Sequence, residues 1–292
     1  MILVTGATGN TGSEVVRALR QRGAAVRAFV RDPAAAREKL GEDVQLAQGD
    51  FADQASVHAA LNGADRVFLS GADCPDRVGY ETSLIDAAAA AGVSQIVKLS
   101  GIGSAPASPV APWAWHGQIE QHLLQSGVPA VLLRANFYMS NLLASAEQVA
   151  EHGQLAAPAG SARIGMVDPR DVGTCAAAVL TEAGHDGRTY LVTGPQAITF
   201  ADVAHELSSI AGRQVTYVDL PDEVAVRGLV QTGLPEPVAR VIVSVFGALR
   251  DGAGEQVTDT VRALTGRPPA DIAAFLGPHA QLFAPLAVGA ER

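Results

Sequence analysis

Residues 2–12 read ILVTGATGNTG and run directly into a helical pattern, SEVVRALRQRG. A three-glycine turn wedged between a buried strand and a helix leaves a chain few options. Gly6 permits a sharp exit from the strand, Gly9 lets backbone approach a bound pyrophosphate, and Gly12 lets the helix pack closely on the strand. The helix N-terminus then presents N–H groups and a positive dipole end to phosphate. The spacing is GxxGxxG, one residue longer than GxGxxG. A lone glycine motif is weak evidence, and its position at the head of a β-α alternation makes it strong.

That alternation continues down the chain. ILVT, AAVRAFV, DVQLAQ, DRVFLS, SQIVKLS and AVLLRA are near-continuous apolar runs, as parallel strands buried on both faces should be. Helical patterns lie between them at Ser13–Gln21, Pro33–Leu40, Gln54–Leu61, Arg77–Ala91 and Trp115–Gln125. The expected fold is α/β, a doubly wound parallel sheet with helices on both faces. After residue 136 the regularity weakens. ARIGMV is expected to be a short return strand and RTYLVTG a further one. Asp168, Pro169 and Asp171 look like the start of a helix, and Thr199 with Asp202 like the cap of another. Helices dominate from Pro221. The expected organisation is a dinucleotide-binding domain over 1–150 and a smaller, mainly helical substrate lobe over 151–292, interleaved with the first. Val224, Leu229, Val230, Leu234, Val241, Val245 and Phe246 read for the most part as core of that lobe. An apolar substrate pocket is the alternative.

The end of the second strand, AFVRDP, bears on the cofactor. An acidic side chain there would grip a ribose 2′-hydroxyl, and an arginine would accept a 2′-phosphate. Asp32 precedes Pro33 and a helical run, which makes it an N-cap and leaves Arg31 to face a phosphate. The expected cofactor is NADP, with NAD as the alternative.

Composition removes several other classes. With 48% hydrophobic and 17% charged residues the chain can bury a sizeable core. A net charge of −9 argues against a nucleic-acid partner held by its phosphates. Cys74 and Cys175 are far apart and lack ligand spacing, and are expected to be buried free thiols in a reducing compartment. The apolar stretch Ile85–Val93 is too short for a bilayer, so no membrane partner and a cytoplasmic location are expected. GxxxxGK[ST], GxSxG and HExxH are all absent, which disfavours a nucleotide triphosphatase, an α/β hydrolase and a zinc site.

The chain resembles the atypical short-chain dehydrogenase/reductases of the NmrA-like group. The residues that carry the resemblance are TGATGNTG, FVRDP, QGDF at 48–51, VKLSGIGS, HGQIEQHLLQSGV and LRANFYMSN. It continues through MVDPRDVGTCAAAVL and ITFADVAHELSSIAGRQVTYVDLP. The resemblance implies a Rossmann-like domain with a C-terminal lobe that shapes the substrate pocket. Together with the opening motif it assigns cofactor binding to Gly6, Thr8, Gly9, Asn10, Thr11 and Gly12, with Arg31 at the phosphate. It further implies that Asp50 and Phe51 flank the adenine, that Ser70 and Gly71 line the cofactor cleft, and that Asn136, Phe137 and Tyr138 lie near the nicotinamide.

Most short-chain reductases use a tyrosine followed four residues later by a lysine. Here the tyrosines at 80, 138, 190 and 217 are followed at that spacing by Leu84, Leu142, Gly194 and Pro221. Neither Lys39 nor Lys98 serves. The resemblance places the usual tyrosine at Pro112 and the usual lysine at His116. His116 is therefore a candidate acid or ribose ligand, or else an exposed residue at a helix start. Ser100 and Tyr138 are the other catalytic candidates. Without the dyad, an NADPH-dependent reductase of a quinone or an aromatic, polycyclic polyketide-like ketone is the expected function. Hydride addition to a quinone builds a delocalised anion that a weak acid can protonate. The alternative is a non-catalytic NAD(P)-binding redox sensor. A small-molecule partner is expected, and monomer and homodimer both remain open.

Overall fold

The computed structural model describes residues 1–72 and 74–285. In chain order the elements are β1 (Ile2–Val4), α1 (Asn10–Gln21), β2 (Val26–Val30), α2 (Pro33–Leu40), β3 (Gln45–Gln48), α3 (Gln54–Leu61) and β4 (Arg66–Leu69). Next come α4 (Arg77–Ala90), β5 (Gln95–Gly101), α5 (Ala111–Gln125), β6 (Ala130–Ala135), α6 (Ala146–His152) and β7 (Gln154–Ala157). They are followed by α7 (Pro169–Thr181), β8 (Thr189–Val192), α8 (Phe200–Ala211), β9 (Thr216–Asp219), α9 (Asp222–Gln231) and α10 (Glu236–Arg250). The short helices α11 (Thr260–Thr265), α12 (Ile272–Leu276) and α13 (Ala280–Phe283) complete the described chain.

The chain divides into two units of three segments each. Met1–Ala135, Pro169–Val192 and Asp259–Pro268 form the first, and Asn136–Asp168, Thr193–Thr258 and Pro269–Arg292 the second. Residue 150, the expected boundary, falls inside the first segment of the second unit, and residues 286–292 of the expected lobe lie outside the described residues.

The first unit holds a seven-stranded sheet in the order β3-β2-β1-β4-β5-β6-β8, with every neighbour pair parallel. Ile2, Leu3 and Val4 of β1 and Ile96 and Val97 of β5 are buried, as central strands covered on both faces require. The edges differ: Gln45 and Gln48 of β3 and Thr189 of β8 are exposed. On one face α1 packs against α7, and Gly173 makes the approach possible. A Cβ there would lie 2.6 Å from the Cβ of Glu14 and 2.7 Å from its backbone carbonyl carbon. No helix among the described residues is long and apolar enough to cross a membrane.

The second unit contains a small parallel sheet of β7 and β9 that the sequence pattern did not disclose. The expected strand ARIGMV is not one. Its backbone hydrogen bonds go to three separate segments: Ile164 N to Ile198 O (2.8 Å), Gly165 N to Gly254 O (2.9 Å) and Val167 N to Phe137 O (2.9 Å). Only isolated bridges result, Tyr138 with Val167 and Ile164 with Ile198. Thr199 and Asp202 do form a capping box on α8. The α9–α10 hairpin also departs from expectation. It buries small residues, Ala225, Val226, Ala239 and Val243, against one another, with Leu220 and Leu229 packed alongside. Val224 and Val230 are therefore exposed, and Leu229, Leu234, Val241, Val245 and Phe246 only half-buried, so this set is not core.

Candidate active site

The strand order reverses between β1 and β4, and ligands of open α/β sheets bind at the carboxyl ends of the strands at such a switch point. The turn after β1 is tied to the turn after β4. Thr5 Oγ1 accepts from Ser70 N (2.9 Å) and lies 2.9 Å from Ser70 O, to which it donates. Gly6 has φ +59°, and a Cβ on it would lie 2.8 Å from Ser70 O, so glycine is needed there twice over. At Gly12 a Cβ would sit 2.1 Å from Gly6 O, which is why α1 can start directly against the turn. Gly9 is extended, and a Cβ would meet only Gly6 O, at 3.2 Å.

Gly9 is the N-cap of α1 and supplies no side chain, and the first turn carries no acidic residue. The caps of α2, α3, α8 and α12 instead receive hydrogen bonds on Asp32, Asp53, Thr199 and Asp271. The positive end of α1 is thus left uncompensated behind an exposed stretch, Thr8–Gly9–Asn10, followed by buried Thr11. That arrangement fits a dinucleotide pyrophosphate.

Cations stand nearby. Asp32 accepts from Ala34 N (2.9 Å) and Ala35 N (3.2 Å), so its carboxylate is engaged as the cap of α2. Arg31 is exposed, and its guanidinium has no hydrogen-bond or ion-pair partner among the described residues. Lys39, which sequence reasoning passed over, donates from α2 to Thr8 O at 2.7 Å. After β3, Asp50 turns its carboxylate onto Ala52 N (2.9 Å). Phe51 packs edge-on against Phe29 (5.7 Å) and lies near-parallel to Tyr80, with ring centroids 6.4 Å apart.

Deeper in the first unit, between β5 and the helices α4 and α5, lies a buried ionic cluster. Lys98 projects from the middle of β5 and is fully buried. Its Nζ lies 2.9 Å from Glu81 Oε2 of α4, donates to Leu99 O, and lies 3.3 Å from His116 Nδ1 of α5. Arg77 Nε donates to Glu81 Oε1 at 2.8 Å. Gly71 approaches the same carboxylate, since a Cβ there would lie 3.0 Å from Glu81 Oε1. Burial pushes the Lys98 ammonium down to about 8, against the opposing pull of Glu81. Burial would raise Glu81, but Lys98 and Arg77 outweigh it and hold the carboxyl below its usual range. Burial, then the positive charges of Lys98, Arg77 and Arg134, hold His116 well below the ordinary imidazole value.

His116 is therefore not an exposed helix-start residue. α5 begins at Ala111, with Pro112 in its first turn, and His116 sits half-buried one turn in. Tight contacts hold α5 in place: a Cβ on Gly103 would lie 2.0 Å from the Trp113 ring, and one on Gly117 would lie 2.1 Å from the carbonyl carbon of Ala105. Ser100 belongs to a neighbouring network. Its hydroxyl donates to Glu120 Oε1 (2.6 Å) and pairs with Ser104 Oγ (2.8 Å), while Arg134 Nε donates to the same Glu120 oxygen (3.0 Å). Ser100 is buried and has no hydrogen bond to His116.

Asn136, Phe137 and Tyr138 open the second unit. Asn136 is buried; its Nδ2 donates to Gly254 O (2.9 Å) and its Oδ1 accepts from Phe137 N (2.7 Å). Phe137 packs with Phe200 (6.0 Å) and Phe246 (5.8 Å). Tyr138 is half-buried, with its backbone bridged to Val167. Of the two thiols, Cys175 is buried and pushed up to about 12 by burial, whereas Cys74 is only half-buried, contrary to expectation.

A model of the NmrA-like family matches residues 1–266. The chain belongs to the NmrA-like family. Among NmrA-like relatives it is 40% identical over 283 residues to an NAD(P)H azoreductase of Xenophilus azovorans, covering 97% of this chain and 99% of that one. It is 34% identical over 277 residues to quinone oxidoreductase 2 of Escherichia coli strain K12, covering 94% and 96%. The structure superposes on an NADPH-dependent quinone oxidoreductase from Escherichia coli complexed with NADPH, with a TM-score of 0.88 at 32% identity over 96% of this chain and 99% of that one. This NmrA-like protein is accordingly an NAD(P)H-dependent oxidoreductase with a Rossmann-like parallel sheet.

Proposed function

We propose that the protein is an NADPH-dependent reductase that delivers hydride to a quinone or another electron-poor aromatic acceptor. The observation that carries this reading is the uncapped start of α1 behind Gly9, flanked by Arg31 and Lys39. Pyrophosphate would lie on the Gly6–Gly12 turn. The adenosine 2′-phosphate would meet the exposed guanidinium of Arg31, with Lys39 adding charge on the same side. Asp50 and Phe51 would flank the adenine, and Ser70 and Gly71 would border the cleft. When bound, the cofactor supplies hydride; the protein must orient it and manage one proton.

The acceptor class follows from the acid at hand. Neutral His116 is a modest donor, and a quinone or an azo bond conjugated to aromatic rings delocalises the charge that hydride delivers, so a modest donor suffices. Relatives named as an azoreductase and a quinone oxidoreductase support this choice over the sensor alternative. The free cysteines accord with a cytoplasmic setting. The test is NADPH oxidation, followed at the nicotinamide absorbance, across quinones, azo dyes and aromatic ketones. Turnover is expected with quinones and azo dyes, and more slowly with aromatic ketones. Tight NADPH binding with no oxidation by any of them would overturn the reductase reading and return the sensor.

Cofactor choice has its own test. Arg31→Ala should weaken NADPH by about one to two decades more than NADH, since a charge-assisted pair is worth roughly 1.5–3 kcal/mol. Equal weakening of both, measured by calorimetry, would remove Arg31 from the 2′-phosphate.

A further inference from the structure

An ammonium has three hydrogens and nothing with which to accept one. Around Lys98 Nζ stand three acceptors: Glu81 Oε2, Leu99 O and His116 Nδ1. The ammonium donates to Leu99 O, faces Glu81 Oε2 as an ion pair at 2.9 Å, and toward the histidine ring can act only as a donor. While Lys98 is charged, His116 Nδ1 must therefore be the bare nitrogen, and the ring proton sits on Nε2. Doubly protonated His116 would set N–H against N–H in a space already holding Lys98 and Arg77. Of Lys98, Glu81, Arg77 and His116, only His116 keeps an appreciable exposed surface.

We propose that Lys98 is a positioning residue acting through His116: it locks the ring as the neutral Nε2–H tautomer and replaces the proton that Nε2 gives to the reduced substrate. This rests on the reductase reading. A quinone that takes up hydride from the reduced nicotinamide cofactor gains two electrons and one proton and becomes a hydroquinone anion. Its oxygen then forms an O–H bond as the His116 Nε2–H bond breaks, and Nδ1 takes a proton from Lys98. Lys98 is left as a neutral amine. Water reprotonates Nε2, and the Nδ1 proton returns to Lys98, which restores the starting state. Glu81 stays ionised throughout, and its place beside Lys98 is what keeps an ammonium in a buried position. The missing tyrosine-lysine pair is thus replaced by a pair of different residues from β5 and α5.

The charged groups around the pair set its pH range. Glu81 and Arg77 face it from α4, Glu120 acts on Lys98 from α5, and Arg134 acts on His116 from β6. Since Lys98 titrates at about 8, the relay is loaded below that pH and empties above it. The rate on an aromatic ketone, which needs the proton most, should fall as pH rises through that value. A quinone should show a shallower limb.

The decisive measurement is 15N NMR of the histidine rings in cofactor-free protein, with His116 assigned by comparison with His116→Gln. The expected result is a protonated Nε2, a bare Nδ1 and a ring that stays neutral at pH values where an ordinary imidazole is charged. Lys98→Met combined with Glu81→Gln removes the ion pair at nearly constant volume. In that variant His116 should titrate closer to an ordinary imidazole, the alkaline limb should vanish, and kcat on an aromatic ketone should drop at least about 100-fold. The KM for NADPH should hold. A wild-type ring protonated at Nδ1, ordinary titration of His116, or an alkaline limb that survives in the double variant would each overturn the proposal. Absence of turnover on every acceptor would overturn the reductase reading and the proton's destination, whereas the ring assignments decide the Lys98–His116 coupling independently.

Discussion

Gly9→Val should lower NADPH affinity by about 100-fold or more, equivalent to roughly 2.7 kcal/mol, while the protein unfolds at nearly its original temperature. The backbone at Gly9 has φ −75° and ψ 174°, which valine adopts without strain, and the only atom near a new Cβ is Gly6 O at 3.2 Å. The fold objects only mildly: the Gly6 carbonyl must give by a few tenths of an ångström, and valine is a poorer N-cap than glycine. The pyrophosphate objects far more, because the added branches stand where it must reach the N–H groups of α1. Gly12→Val makes the contrast. Its Cβ would lie 2.1 Å from Gly6 O and 2.7 Å from the Gly6 carbonyl carbon, so the turn itself cannot close. That variant should lose thermal stability as well as binding. Calorimetry with NADPH alongside thermal unfolding separates the two, and undiminished affinity in Gly9→Val would remove the dinucleotide assignment of the turn.

Glu81→Ala should cost about 3–5 kcal/mol of stability, the range found when one member of a buried ion pair is deleted. Glu81 is fully buried between Arg77, at 2.8 Å, and Lys98, at 2.9 Å; its removal leaves two like charges facing each other out of water. Without its carboxylate Lys98 can stay folded only as the neutral amine, so its folded-state pKa drops further. The unfolded chain then binds more protons than the folded one until the pH passes the lysine's ordinary value. Stability of the variant should accordingly rise with pH between about 7 and 10. Urea denaturation at several pH values tests both claims, and a wild-type midpoint at pH 7 would refute the first.

The features legible in the sequence are those governed by neighbours along the chain. Strand runs such as VRAFV, the Asp32–Pro33 start of α2 and the Thr199–Asp202 box are local, and each stands where its pattern indicates. ARIGMV failed because its partners, Phe137, Ile198 and Gly254, come from three distant places, and no local periodicity encodes that. β7 and β9 are four residues each and only partly buried, too short for alternation to register. Within the site, the glycine turn was visible because its requirements are conformational. Lys98 was not, because SQIVKLS reads as a plain buried strand and its partners sit on α4 and α5. One clue was present: a lysine in the centre of a run buried on both faces must meet a carboxylate, and Glu81, Asp86 and Glu120 were the acidic residues on the helices flanking β5.

The threading of the chain through two units, three segments apiece, bears on how such a protein can change its substrate. No genetic crossover at a single point can exchange one unit and leave the other whole. One cut after Ala135, for example, would separate the first six strands of the large sheet from β8 and from α7, whose Gly173 lets it pack closely on α1. Exchange of one whole unit between relatives by a single crossover is therefore closed to this architecture. Its diversification has to proceed by substitution in place, with both units intact at every step.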